Sequence, residues 1–335
     1  MKVLGLAFVF LLAAGHESHA KAQLQAAVAP TLPRIVAEGQ HFRLADGTPF
    51  TAIEGSDFAL YQRYLDGQPI QPILKQRRDA GFNLLRVFGS FNGSLGRFVP
   101  ASYGDEYFTR LSGFYQELAQ AGLYGEFTVF ADATRWIPQA SDQIAHFNRV
   151  VEAIRPITNA ILEVVNEADQ AINRLDSLAQ LQQPAGVFAS HGSNGSQATP
   201  VAPFWDYITF HTNGAPEEQR KIGQRCMELW TGPCLTNETS RGGDMYRSPA
   251  FAYDAAAGAA LLAAGSAFHS VSGRSSRLWT AEEEALARQW AAGARSVPLG
   301  CQAGGYRHRD DLKGPGLLRV YQRGNDPACI VRIRD

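Results

Sequence analysis

Eight short apolar runs, alternating with stretches of helical spacing, constrain this chain more than any other feature. They lie at Thr51–Gly55, Asn83–Phe88, Tyr124–Phe130, Ala160–Val165, Gly186–Ala189, Tyr207–Phe210, Pro233–Thr236 and Ser266–Val271. Runs of this length, bounded by turn residues, read as strands buried on both faces, and helical crossovers make neighbouring strands parallel. Helical spacing covers Pro69–Ala80, Asp105–Ala121, Asp142–Ile154, Glu217–Leu229, Pro249–Ala264 and Ala281–Ala292, with a weaker helix at Ala171–Gln183. A closed (β/α)8 TIM barrel and an open doubly wound sheet both fit this alternation. The count of eight favours the barrel, as does the lack of a Gly-rich phosphate loop after the first strand.

The ends of the chain read differently. Lys2 followed by the apolar run Val3–Ala14 and by Ser18-His19-Ala20 has the form of a signal peptide over residues 1–20, too short to span a bilayer. Export to a secreted or periplasmic location is the expectation, with no membrane contact after cleavage. Residues 21–38 read as a leader or linker, and Asp46-Gly47 within His41–Phe50 marks a small hairpin. The barrel is expected over 39–299. Residues 300–335 read as a small C-terminal β appendage, with strands at Leu317–Gln322 and Cys329–Ile333 around a turn from Gly324 to Pro327.

A formal net charge of −1 without a basic stripe argues against nucleic acid as a partner. Four cysteines in an exported chain suggest disulfides, and local spacing favours Cys226–Cys234 and Cys301–Cys329. No CxxC or HxxxH spacing supports a zinc site, so no metal and no cofactor is expected.

In such a barrel the reacting groups stand where strands end at the C-terminal rim. The fourth run leads into Asn166-Glu167 and the seventh into Asn237-Glu238. Glycoside hydrolysis needs two carboxyl groups flanking one bond, and two strand ends can hold them at a fixed separation. The oligo- or polysaccharide substrate has further candidate contacts in His191, Asp132 and Trp136, which closely follow other runs.

The motifs ILEVVNEAD, CLTNETS, FNLLRVF and YITFHTNG resemble those of clan A glycoside hydrolases, most nearly the cellulase-like family 5 group, over roughly residues 40–290. That resemblance implies a retaining hydrolase of β-glycosidic bonds, with Glu167 as acid/base and Glu238 as nucleophile. It further implies that Arg86 supports the nucleophile, Asn166 binds the sugar 2-hydroxyl and His211 lines the site. The chain departs from the family at Asn213, where a tyrosine is usual, and after the eighth run, where Phe268, His269 and Ser272 stand in place of a tryptophan. Two other readings follow from the residues: a catalytically silent carbohydrate-binding barrel, and a metal-dependent hydrolase using His191, His211, Asp132 and Asp206.

Overall fold

The computed structural model describes residues 30–195, 199–212, 215–238, 248–261, 263–297, 306–308, 318–323 and 330–334. The expected signal peptide, the Gly324–Pro327 turn and the Cys301–Cys329 pairing lie outside the described residues.

Eight strands build the centre: β1 Ala52–Ser56, β2 Leu84–Phe88, β3 Tyr124–Phe130, β4 Ala160–Val165, β5 Ala189–Asn194, β6 Ile208–His211, β7 Cys234–Glu238 and β8 Gly265–Phe268. They pair in parallel in the order β5-β4-β3-β2-β1-β8-β7-β6. The two ends of that sheet, β5 and β6, lie side by side. There the Asp206 N–H donates to the Ala189 carbonyl at 3.0 Å, and the Asp206 carboxylate accepts from the Ala189 N–H at 2.9 Å. The sheet is therefore a nearly closed (β/α)8 barrel.

Among the described residues, the longer helices that cover it are α1 Gln71–Asp79, α2 Leu111–Gln120, α3 Ala140–Ile154, α4 Pro216–Leu229, α5 Pro249–Ala260 and α6 Ala281–Arg295. The Ala-rich sequence of α5 suits a helix buried on most of its circumference against α6. A Cβ at Gly293 of α6 would overlap the Tyr253 backbone, so glycine there sets the close approach. Thr280 and Glu283 form a reciprocal capping box that starts α6.

Three expectations need correction. The helix expected at Ala171–Gln183 is a loop with one 3-10 turn at Leu178–Gln180. Asn173 and Ser177 take up backbone and side-chain partners outside a helix, Asn173 accepting from the Asp132 N–H and Ser177 binding Gln143. The fifth strand is not Gly186–Ala189 but the more polar Ala189–Asn194. Gly186 sits in a turn at φ +76°, and Phe188 packs on Phe42 and Tyr207 before the strand begins. Finally, Ile35–Glu38 is not linker: it pairs antiparallel with His41–Leu44, which pairs with Pro49–Phe50. Ile35, Phe42 and Phe50 pack on Ala52, Leu84, Tyr124, Ile161, Tyr207 and Leu235, plugging the N-terminal end of the barrel. Burial of each large side chain there contributes roughly 1.5–3 kcal/mol.

Cys226 and Cys234 are bonded, tying α4 to β7. The C-terminal segment forms an antiparallel sheet of β9 Tyr306–His308, β10 Leu318–Arg323 and β11 Ile330–Arg334, and β11 runs beside α5. Among the described residues, no helix is long and apolar enough to cross a membrane.

One ion pair ties β1, α1 and the β8–α6 connection together. Arg77 donates to both Asp57 oxygens at 2.8 and 2.9 Å and to the Arg277 carbonyl at 2.7 Å, with its guanidinium 3.8 Å from the Trp279 ring centre. Both charged side chains are fully buried. Removing one partner strands the other in the interior, so Asp57→Ala is expected to cost about 3–5 kcal/mol in denaturant unfolding. Lys75→Ala, at the exposed Lys75–Asp79 pair, is expected to leave stability unchanged.

Candidate active site

Alternation along parallel strands sends every second side chain into the barrel, and four of the strands carry a charge at such a position. Arg86 of β2 is level with Glu126 of β3, while Glu54 and Glu163 enter from β1 and β4. All four are fully buried. A guanidinium so enclosed must be satisfied on every side. Arg86 donates to Glu163 Oε2 from Nε at 3.0 Å and from Nη2 at 2.6 Å. Its Nη2 also reaches Asn166 Oδ1 at 2.9 Å, and Nη1 reaches Glu238 Oε2 at 3.0 Å.

Local irregularities bring the two rim glutamates to face one another. In the pairing of β6 with β7, Phe210 is opposite Thr236 but His211 is opposite Glu238, so Asn237 is an extra residue on β7. Such a bulge re-aims consecutive side chains. Asn237 reaches down to Glu126 and Glu163 at 3.0 and 2.8 Å, while Glu238 stays at the rim, 19% exposed. At the end of β4, Glu167 adopts a left-handed backbone at φ +48°, a conformation costly for a residue with a side chain and often found at functional sites. Gly195 packs directly on the Glu167 side chain, where a Cβ would overlap the carboxylate. His211 stands between the pair, its Nδ1 3.6 Å from Glu167 Oε1 and its Nε2 3.8 Å from Glu238 Oε2. One oxygen of each glutamate and one His211 nitrogen all lie within 4.8 Å of one another.

The electrostatics separate these groups. Burial opposes charge on Glu238, but His211, His269 and Arg86 outweigh it and hold its carboxyl down to about 2. Burial also holds the His269 imidazole down to about 4, while the carboxylates around Arg86 keep its guanidinium charged. Deeper in the barrel, burial and the charge of Glu163 push Glu126 up to about 7, against Arg86 and hydrogen bonds from Asn237 and Tyr207. Burial and Glu126 push Glu54 well above the usual carboxylate range.

Of the residues expected from sequence, Glu167, Glu238, Arg86, Asn166 and His211 meet at one place. Three do not join them. The sheet register aligns Ser190 with Glu163 and Gly192 with Val165, so His191 between them faces outward, against Trp205 at 4.1 Å. Asp132, in a left-handed turn, accepts from the Asn92 N–H at 2.8 Å and thereby fastens the Phe91–Phe98 hairpin. Trp136 donates to the Ala131 carbonyl, stacks on Phe130 and abuts His146, and makes no such contact with Glu167 or Glu238. Asp206 sits at the start of β5, the opposite end of that strand from the rim. The ligand set His191, His211, Asp132 and Asp206 is therefore not assembled. His269, which the sequence places in the eighth run, has its Nδ1 3.0 Å from Ser56 Oγ and belongs to the site electrostatically.

No family model matches the chain, and neither does any curated protein sequence. Solved structures do. A structure described as a glycoside hydrolase superposes with a TM-score of 0.62 at 12% identity, covering 87% of this chain and 81% of that one. A family 5 glycoside hydrolase from Bacteroides vulgatus gives 0.58 at 12% identity, with 87% and 78% covered. The catalytic domain of an endoglucanase from Thermobifida fusca gives 0.52 at 13% identity, with 77% and 95% covered, and a variant of it has been solved with cellotetraose. The chain thus shares the barrel fold of family 5 glycoside hydrolase structures.

Two groups make stability depend on pH in opposite senses. Glu238, held below its ordinary 4.5, stabilises the folded chain above that value and loses this contribution as pH falls toward 2. Glu126, held up near 7, favours the folded chain below 4.5 and loses that contribution as pH rises through 7. Unfolding curves are therefore expected to show Glu238→Gln flattening the acid decline and Glu126→Gln removing the decline between pH 4.5 and 7.

Proposed function

We propose that this chain is a secreted retaining glycoside hydrolase of the family 5 group that cleaves β-glycosidic bonds in an oligo- or polysaccharide. The observation that carries this reading is the Glu167–His211–Glu238 cluster, with Arg86 hydrogen-bonded to Glu238. Retaining enzymes hold their two carboxyl groups about 5–5.5 Å apart, because one must reach the anomeric carbon itself. Inverting enzymes leave room for a water, about 6.5–9.5 Å. Oxygens of Glu167 and Glu238 within 4.8 Å favour direct attack. The cellotetraose bound by the Thermobifida fusca barrel supports a β-linked saccharide as the substrate class.

In this reading Glu238 is the nucleophile. Its low-lying carboxyl is ionised across the working pH range, and Arg86 fixes its orientation through Oε2. Glu167 gives its proton to the leaving glycosidic oxygen as Glu238 bonds to the anomeric carbon and the glycosidic bond breaks. The freed alcohol departs, and Glu167 then takes a proton from water. That water attacks the glycosyl-enzyme, releasing the sugar with its original anomeric configuration and regenerating Glu238. Asn166, its oxygen engaged by Arg86, has its amide N–H groups as donors for a sugar hydroxyl. Each residue can be supplied by the chain alone, without a metal or organic cofactor in any step.

The test is hydrolysis of a panel of aryl β-glycosides and β-glucans by wild type, Glu167→Ala and Glu238→Ala. Wild-type turnover is expected to fall by about 10²–10⁴-fold or more in each variant. Azide is expected to rescue Glu238→Ala as the glycosyl azide of inverted configuration. Turnover by Glu238→Ala at the wild-type rate would sink the assignment.

A further inference from the structure

The interior glutamates are not needed to fill the barrel, since apolar residues of like volume commonly stabilise an interior at least as well as buried charges. Glu163 is the most heavily engaged of them. Its Oε2 accepts from Arg86 Nη2 at 2.6 Å, Thr128 Oγ1 at 2.7 Å and Arg86 Nε at 3.0 Å. Its Oε1 accepts from Asn237 Nδ2 at 2.8 Å and Thr209 Oγ1 at 3.0 Å. Five donors saturate the acceptor sites of a carboxylate.

Two of the residues bound this way decide where Glu238 stands. Arg86 is its hydrogen-bond partner, and with Nε and Nη2 turned to Glu163, Nη1 is the nitrogen that meets Glu238. Asn237 is the bulged residue that precedes it, and its downward amide sets which way the next side chain points. Glu126 shares part of this work, accepting from Asn237 at 3.0 Å and from the Tyr207 hydroxyl at 2.7 Å. Glu54, equally buried on β1, takes none of these donors.

We propose that Glu163 is the positioning residue of Glu238, holding Arg86 with one oxygen and the Asn237 bulge with the other. The inference rests on the reading of Glu238 as nucleophile. Glu54 stands apart from both arms: it is buried beside Glu126, while Arg86 and Asn237 direct their hydrogen bonds to Glu163, Glu126, Asn166 and Glu238.

The discriminating variants are Glu163→Gln and Glu54→Gln. A glutamine at 163 offers one acceptor oxygen and adds a donor, so it can satisfy at most one of the two arms. On the aryl β-glycoside that wild type hydrolyses best, Glu163→Gln is expected to lower kcat about 100-fold with KM within about threefold, the size of effect that a 1 Å displacement of a reacting group produces. A crystal structure of the variant is expected to show Arg86 Nη1 outside hydrogen-bond reach of Glu238. Glu54→Gln leaves the donors of both arms on Glu163 and is expected to keep kcat within about threefold of wild type. A folded Glu163→Gln with wild-type kcat and an intact Arg86–Glu238 contact overturns the proposal, as does an equal loss in Glu54→Gln. If Glu163→Gln does not fold, Asn237→Ala severs one arm alone: a fall in kcat of about tenfold at constant KM supports the proposal, and unchanged kcat overturns it. Wild type inert on every glycoside would count against the glycosidase reading, while the Arg86–Glu238 distance in the variant still decides the positioning claim.

Discussion

The site depends on one guanidinium inside a barrel of acids. Arg86 contacts Glu163, Glu126, Asn166 and Glu238, which come from three strands and the loop after one of them. An arginine with no partners would be far too costly at zero exposure, and so would the same carboxylates without it. Each therefore specifies the place of the others. The planar fork of the guanidinium fixes directions as well as charge, which a lysine at the same position could not do. Glu238 lies on the rim side of the guanidinium, where its side chain is 19% exposed.

Strand geometry supplies the remaining precision. A regular strand end would point Asn237 and Glu238 to opposite faces, one inward and one into the helix layer. The bulge in β7 lets the amide anchor downward while the carboxylate stays at the mouth. On β4 the same end is met by backbone strain, with Glu167 held in a left-handed turn and Gly195 packed on its side chain. The neighbouring Ala168 N–H donates to the Ser193 carbonyl at 2.9 Å, and Asp169 accepts from the Gly195 N–H at 2.8 Å. These bonds link the ends of β4 and β5 and resist relaxation of the strained residue. The interior core below, plugged by Ile35, Phe42 and Phe50, gives both strand ends a rigid base.

Much of this was legible in the sequence because the barrel writes its strands as uninterrupted apolar runs. The bounds of β3 and β4 coincide with the runs Tyr124–Phe130 and Ala160–Val165. Glu167 and Glu238 were legible because they terminate such runs. The fifth strand was not: its residues Ala189–Asn194 are small or polar, and the apolar Val187-Phe188 before it belongs to the approach. His191 and Asp132 have the right chemistry at strand ends, but only sheet register shows that His191 faces outward, and only the hairpin contact explains Asp132. The interior acids were visible yet unread. Glu54, Glu126 and Glu163 each interrupt an apolar run, as Arg86 does, and a charge inside a strand buried on both faces calls for a partner in another strand.

A covalent bond from Glu238 to the sugar is the step on which the proposed function rests. Its most direct test is to incubate the protein with the 2-deoxy-2-fluoro analogue of an aryl β-glycoside that it hydrolyses, and to map the product by peptide mass spectrometry. Accumulation of one glycosyl adduct, carried on the peptide at Glu238, is the predicted result. Hydrolysis that proceeds with no adduct and releases sugar of inverted anomeric configuration would contradict it.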